Sequence, residues 1–560
     1  MNTKRVVASF IIVLMVMLPF SFFIKPATAT ITEYIYIRQN GSVSPSTAPI
    51  ESIDNVTYTF TDNIFNTSIV VQRSNIILDG NGCTLERPTS SDFDIGIYLE
   101  YLNNVTIKNT NIKGYSVGIR FYQITNSAIL GNNITDSVLI GVETAECSHL
   151  VICKNNMSNG NYGLYLGYSP YSNVTGNIFS GNLQGFEVWG GGFADFTNYI
   201  DSTNLVNGKP VYYLMNMHDM TINPSTHPSV GWLALINSTN ITVEGLNLTG
   251  NGQGLLLAYT TDAKIRNNNI TDNGEGIWIR YSHNNTISEN IIRNIGDGIF
   301  LAGSSSNNVI FGNNFTVNMY AIDLEEYANN NTIFGNFIKW NLFGIMLRNA
   351  ADNKIYHNNF IENGFQASFD LPSYANIWDD GYPSGGNYWS DYTGKDDNND
   401  VIGDTQRNLA ANNIDRYPLM APITVFNAGV WNNKTYFVEV VSNSTVTNFN
   451  FDPYGGSPTL SYDVEGENGT IGFCRVAIPI GLMWCNNHDE WVVIVNGNLT
   501  SRDITETSHT YIYFTYTHST KKVEIQSVYA VPEFAALVIL PLFLIATPLT
   551  AIVYRRRQHS

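Results

Sequence analysis

At 560 residues the chain is longer than one ordinary hydrophobic core can organise, so it must hold several domains or a repeating body. Its 29 Lys and Arg against 47 Asp and Glu give a formal charge of −18, which repels nucleic acid and anionic lipid and argues against nucleic-acid binding. Five cysteines, Cys83, Cys147, Cys153, Cys474 and Cys485, are too few for disulfides to be the main source of stability.

In chain order, Lys4 and Arg5 precede an apolar run from Val6 to Ile24, and Ala27-Thr28-Ala29 offers small residues for cleavage, as in a secretory signal peptide over 1–29. An uncleaved anchor is the alternative. Residues 30–75 are rich in Thr and Asn with alternating apolar positions (Tyr34, Tyr36, Val56, Tyr58, Phe60), the pattern of strands that form an N-terminal cap. From Ile76 a short phrase recurs: an apolar strand, an Asn-bearing turn, an apolar residue, a second turn, then Gly and another strand. Its Asn falls at Asn111, Asn133, Asn156 and Asn177, then at Asn247, Asn269, Asn290, Asn314, Asn336 and Asn359, in steps of 21 to 24. Its Gly falls at Gly96, Gly118, Gly141, Gly163 and Gly185, then at Gly254, Gly276, Gly298 and Gly344, with Ala321 in one coil.

Strands of four or five residues between sharp turns, at a fixed period of about 22, predict a solenoid in which each strand stacks in parallel on its predecessor about 4.8 Å away. The Asn side chains are expected to take left-handed turns and to bond to one another as a ladder, and the Gly to supply a positive φ. Between the halves, 190–239 breaks the period with Gly190-Gly191-Gly192, Pro224 and Pro228, and reads as an insertion or irregular coils.

The phrase Val206-Asn207-Gly208-Lys209-Pro210-Val211-Tyr212-Tyr213 is followed later by Gly385-Gly386-Asn387-Tyr388-Trp389-Ser390-Asp391-Tyr392. With the coils, these resemble the NosD-like family over residues 75 to 420. The resemblance implies a right-handed parallel β-helix outside the cytoplasm, here placed over 76–422, and for some members a role in copper delivery. After Pro422 the alternating segments Tyr436 to Val441, Val446 to Phe451, Gly472 to Ile478, Trp491 to Val495, Tyr511 to Thr517 and Lys522 to Val528 predict a small β-sandwich over 423–529. Cys474 and Cys485 flank one of its turns and are expected to pair outside the cell, two free thiols being the alternative.

The last stretch, 530–560, holds an apolar run from Phe534 to Tyr554 and then Arg555-Arg556-Arg557, the pattern of a transmembrane helix with a cytoplasmic tail. Val531-Pro532-Glu533-Phe534 ahead of it resembles the PEF-CTERM sorting signal, with Ala535 where Pro commonly follows. That resemblance implies an archaeal cell-surface protein.

Three groups of residues invite chemistry. Asp396, Asn398, Asp400 and Asp404, with the Ile402 carbonyl, fall at alternate positions that can converge on Ca²⁺; Val401 replaces the Gly that would ease the loop, and no Glu completes an EF-hand. An acidic surface loop explains them equally well.

If the Ile or Leu after each Gly points inward, alternation turns Tyr98, Arg120, Glu143, Tyr165, Glu187, Trp278, Phe300, Asp323 and Met346 outward, with Tyr122, Trp189, Arg280, Glu325 and Arg348 two positions on. Rings beside carboxylates and guanidiniums suit stacking and hydrogen bonding to sugars, although exposed strands favour aromatics in any case. Glu143 with Glu187, or Asp323 with Glu325, are the pairs a glycosidase would need.

Met215, Met217, His218 and Met220 carry soft ligands suited to Cu(I), but alternation splits them between faces, and core filling is the ordinary use of Met. Cys147 and Cys153 with His149 between them are a weaker set. Sequons occur at Asn55, Asn66, Asn433, Asn443, Asn468 and Asn498, where glycans are expected, and at Asn133, Asn156, Asn269 and Asn314, where ladder packing is expected to bury them.

The sequence thus points to a cell-surface β-helix that binds surface glycans or other cell-envelope proteins, more as a binding or structural module than as an enzyme. The rivals are a polysaccharide-active enzyme using outward carboxylates and a copper-handling accessory protein.

Overall fold

The computed structural model describes residues 34–87 and 94–531. The expected signal peptide and the apolar run at Phe534 to Tyr554 lie outside the described residues. Among the described residues, no helix is long and apolar enough to cross a membrane. Apart from two single-turn 3-10 helices, Phe193–Phe196 and His488–Glu490, regular structure there is all strand. The chain divides into two units. The first runs to Trp378 and takes in Trp389–Asp391 and Asn408–Asp415; the second holds Asp379–Tyr388, Tyr392–Arg407 and the chain from Arg416.

The first unit is an all-β solenoid of about 14 turns. One coil shows its construction: Val117–Tyr122, Ala128–Leu130 and Asn133–Thr135 form three sides, and each pairs in parallel with the corresponding strand of the next coil. The register puts like on like. Ile119, Val142, Leu164 and Phe186 form one column, Ile129, Ile152 and Val174 a second, and Ile134, Met157 and Phe179 a third. All ten side chains are buried, so the columns meet in one core, each large apolar side chain contributing about 2 kcal/mol of burial.

Coils begin earlier than Ile76. Thr57–Phe60, Ile64–Phe65 and Ile69–Val71 already pair in parallel with the strands one coil on. What remains as a cap is a pair of two-residue strands, Val43–Ser44 and Ile50–Glu51, laid antiparallel on the two sheet edges, which leaves no long parallel edge open.

The expected insertion at 190–239 is no lateral excursion. Tyr199–Ile200 and Leu205–Val206 continue two sheets, and then Asn207 (φ 49°) and Gly208 (φ 78°) form a two-residue hairpin that returns the chain antiparallel, with Val206 opposite Lys209. Lys209–Met215 next pairs in parallel with Trp232–Ile236, and coils follow to Phe365–Phe369. A single 15-stranded sheet therefore holds two parallel blocks that run in opposite directions and meet at this hairpin.

At the corners the Asn and Gly roles differ from expectation. The buried ladder runs one residue before most of the marked Asn, through Asn268, Asn290, Asn313, Asn336 and Asn358, each Nδ2 donating to the next Oδ1 at 2.9–3.0 Å. Two further ladders run through Asn285, Asn308, Asn331, Asn353 and Asn376, and through Asn318, Asn341 and Asn363. The left-handed conformation belongs to the residue before the ladder Asn, such as Asn267, Asn284 or Asp352. The marker Gly residues have no positive φ; they are needed for close approach, since a Cβ on Gly276 would lie 2.2 Å from the Gly298 carbonyl oxygen. Because the ladder is offset, Asn133 and Asn314 are exposed and Asn156 and Asn269 partly so, which reverses the expectation that these sequons are buried.

In the second unit, two five-stranded antiparallel sheets share one core. Ile423–Trp431, Lys434–Ser442, Ile471–Pro479, His509–Thr517 and Asp503–Glu506 form one; Thr445–Asp452, Thr459–Glu465, Lys521–Gln526, Val492–Val495 and Asn498–Leu499 form the other. Val438, Val476 and Ile512 from the first pack with Leu460, Val493 and Ile525 from the second. Cys474 and Cys485 are not bonded: Cys474 is buried in that core beside the Ser442 and Tyr516 hydroxyls, while Cys485 accepts from the Val528 amide.

Candidate functional site: carboxyls on the outer face of the solenoid

The residues expected to point inward, Ile97, Ile119, Leu164, Phe186, Ile277, Ile299, Ile322 and Ile345, are all buried, so the alternation holds. Of their outward neighbours, Tyr98, Tyr122, Glu143, Tyr165 and Trp189 are partly exposed. Tyr98 donates to Glu100 (2.6 Å) and Arg120 pairs with Glu143 (2.6 Å), so both sit in polar settings on the surface.

Glu187, Trp278, Arg280 and Asp323 are instead buried, with Trp278 and Asp323 wholly so. Over Trp278 the cause is the chain from Trp189 onward, which folds over the outer face of the second block. Trp189 packs on Trp278 with centroids 4.5 Å apart, Phe196 meets Trp278 at 6.2 Å, and Phe193 meets Tyr259 at 5.1 Å. The Tyr281 hydroxyl donates to the Gly191 carbonyl (2.6 Å) and holds the cover down. A surface that the sequence presents as free for sugar stacking is, over these coils, a second hydrophobic layer.

Beyond the cover lies a group of carboxyls. Glu275 and Asp297 stand directly opposite each other on adjacent parallel strands, two positions before the inward Ile277 and Ile299. Asp323 and Glu325 both pair with the Arg348 guanidinium, which also lies over the Tyr320 ring at 4.9 Å. Glu187 comes from the first block: its carboxyl lies over Gly252, where a Cβ would meet its Oε2 at 2.4 Å, and its Oε1 accepts from the Trp189 and Gln253 side chains. Tyr162 and Tyr165 face Glu187 and Glu275 from the same block.

Burial and mutual repulsion decide the protonation of this group. Burial pushes the Glu187 carboxyl up to about 7. Burial raises Glu275 well above the usual carboxylate range, and the charges of Asp297, Glu187, Asp323 and Glu325 raise it further. Asp297 is raised by burial against the opposing pull of Arg348, and Asp323 by burial and by Asp297. One guanidinium cannot balance five carboxyls in so little water, so part of the group holds protons at neutral pH. The pairs anticipated from sequence separate here: Glu143 lies on the far side of Tyr165 from Glu187, and Asp323 with Glu325 is committed to Arg348. Glu275 and Asp297 were legible as acids 22 residues apart, each just before a marker Gly, where other coils carry Gln184, Gln253, Tyr320 or Phe343.

The two metal expectations fare differently from this group. In the acidic loop, Asp396 accepts the Asp400 and Val401 amides, Asn398 accepts the Asp400 amide, Asp400 accepts the Ile402 amide and Asp404 accepts the Asp397 amide. These oxygens cap the loop's own backbone, and no trio of His, Cys, Asp or Glu suited to a metal occurs among the described residues. For copper, Met215 packs against the core at the end of Lys209–Met215, Met217 is exposed at the corner, and His218, held by Asp219 at 3.2 Å, starts the next side with Met220. A corner separates Met215, at the end of one strand, from His218, at the start of the next. Cys147 is buried, with its thiol raised to about 11 by burial.

Compared with known proteins, residues 196–394 match the family described as periplasmic copper-binding protein (NosD), and residues 50–201 match the right-handed beta helix region. No curated protein sequence matches the chain. Among solved structures, the A-module of the Azotobacter vinelandii mannuronan C-5 epimerase AlgE6 is 13% identical, with 58% of this chain and 88% of that one covered and a TM-score of 0.22. The Dettilon tailspike protein is 12% identical over 82% and 87% (TM-score 0.23), and the tailspike of E. coli bacteriophage HK620 in complex with pentasaccharide is 10% identical over 83% and 75% (TM-score 0.26). The two family matches meet within the solenoid and join its two blocks, and together they support a NosD-like right-handed β-helix family for this part of the chain.

Proposed function

We propose that the protein binds an uncharged polysaccharide along the outer face of its solenoid. The observation that carries this reading is the run of partly exposed rings set among fixed polar groups on that face. Tyr320 and Phe343 are stacked 4.7 Å apart and Phe343 and Phe365 5.0 Å apart, alongside the Arg348 guanidinium and its two carboxylates. Rings give sugar faces a flat apolar contact, and paired charges give hydroxyls a directed one. The excess of acid over base disfavours polyanionic glycans.

Display outside the cytoplasm belongs to the same proposal, supported by Lys4 and Arg5 before one apolar run and the arginines after the other. The two sheets of the second unit then serve as a β-sandwich stalk next to the membrane.

Isothermal titration of the full chain against neutral glucans, mannans and galactans tests the reading. Binding that weakens about tenfold or more in Tyr320→Ala, whose ring carries sugar contact worth a kcal/mol or two, is expected. Absence of binding to every neutral glycan, or binding indifferent to Tyr320, overturns it.

A further inference from the structure

The carboxyls on the outer face are arranged for more than binding. Five of them, Glu187, Glu275, Asp297, Asp323 and Glu325, come together from two blocks of the solenoid, and the single guanidinium of Arg348 is shared by Asp323 and Glu325. Among the described residues Glu187, Glu275 and Asp297 make no ion pair, Arg348 acting on Asp297 only at longer range, and Glu187 Oε2, Glu275 Oε2, Asp297 Oδ1 and Asp323 Oδ1 are buried without any hydrogen bond. Two other polar atoms in the same neighbourhood are equally orphaned. Oε1 of Gln184, a residue 7% exposed, lies 2.7 Å from where a Cβ on Gly274 would stand, beside Glu275; Nε1 of the wholly buried Trp278 donates to nothing.

A fold retains so many unsatisfied groups, each costing about 1–3 kcal/mol, where something else uses them. Glu275 and Asp297 nevertheless keep part of their surface open to solvent, which places them at the surface of the solenoid and not in its core. Opposed residues on adjacent parallel strands lie about 4.8 Å apart, so the two carboxyls can flank one bond of a bound chain.

We infer that Glu275 and Asp297 are the carboxyl pair that hydrolyses a glycosidic bond of the polysaccharide held on this face, with Glu275 as the acid and Asp297 as the nucleophile. The inference rests on the binding reading above. Glu275 gives its proton to the glycosidic oxygen as the bond from that oxygen to the anomeric carbon breaks, and a carboxylate oxygen of Asp297 bonds to that carbon in its place. The released chain end leaves with the proton. Ionised Glu275 then takes a proton from a water whose oxygen bonds to the anomeric carbon as the bond to Asp297 breaks, which leaves Glu275 protonated and Asp297 ionised for the next cycle. Adjacent strands about 4.8 Å apart suit a nucleophile better than a base that must admit a water beside the acid.

The test incubates the full chain with neutral glucans, mannans, galactans and xylans and measures new reducing ends, with binding of each followed by calorimetry in parallel. Release by the native chain is expected, lowered about 100-fold or more in Glu275→Gln and in Asp297→Asn, with affinity for the glycan retained and Glu51→Gln, at the cap, unaffected. The native chain should also show a bell-shaped pH profile, a readout that needs no variant and that a merely structural role would not produce. Binding without release, or release that survives both substitutions, overturns the catalytic pair while leaving the binding reading in place. Failure to bind any of the glycans overturns both.

Discussion

Replacing Asn313 with Ala separates the ladder's contribution from that of the neighbouring Asn314. In the native coil, Asn313 Nδ2 donates to Asn336 Oδ1 (3.0 Å), the Ile287 carbonyl (2.9 Å) and the Phe311 carbonyl (3.1 Å). Its Oδ1 accepts the Asn290 amide (3.0 Å) and Asn290 Nδ2 (2.9 Å). Alanine removes all five and leaves a buried amide and carbonyls in a corner 1% exposed, with no room for several waters. At about 1–3 kcal/mol for each buried group left unpaired, and allowing for relaxation, the loss should be about 3–5 kcal/mol. Asn314, one residue on, is exposed, and its replacement should cost under about 0.5 kcal/mol. Urea unfolding followed by circular dichroism, with tryptophan fluorescence as a second probe for partial unfolding of a repeat body, measures both. Equal losses for Asn313→Ala and Asn314→Ala would refute the offset ladder.

Gly276→Ala should destabilise the first unit by about 2–4 kcal/mol, because the new methyl meets the Gly298 carbonyl at 2.2 Å from a backbone that needs no positive φ; Gly82→Ala, open around its Cβ but at φ 79°, should cost only about 1 kcal/mol. Melting temperatures of the two variants compare steric with conformational cost. The raised acid of Glu187 makes stability depend on pH in a defined direction. The unfolded carboxyl ionises near 4.5 and the folded one at about 7, so the native state holds the extra proton between them; stability is greatest below about pH 4.5, falls on rising through pH 7, and is flat above. Calorimetric Tm values from pH 4.5 to 8 should fall accordingly, and Glu187→Gln should remove a part on the order of 3 kcal/mol.

Much of the solenoid was written in the sequence because a stacked coil repeats its chemistry locally. The 22-residue interval follows from three short strands and three corners, and the inward Ile and Leu columns follow from alternation within one strand. The sequence could not separate the roles within Asn-Asn pairs such as Asn268 and Asn269, since both residues suit a turn; only the backbone shows that the first bonds in the ladder and the second faces out. The marker Gly was visible as a repeat, yet its reason, contact with the carbonyl one coil away, is a distance between residues 22 apart.

What tertiary structure alone decided is which outward residues stay outward. Tyr98 and Trp278 occupy the same place in the repeat, but Trp189 and Phe196 pack over only the second, and nothing local to Trp278 encodes that cover. The Asn207-Gly208 hairpin likewise set two blocks against each other and brought Glu187 within reach of Glu275, which the chain places 88 residues later. Periodicity fixes neighbours along the stack, because each coil sees only the next. The carboxyl cluster arises where the periodicity is broken, and there contacts depend on how distant segments pack.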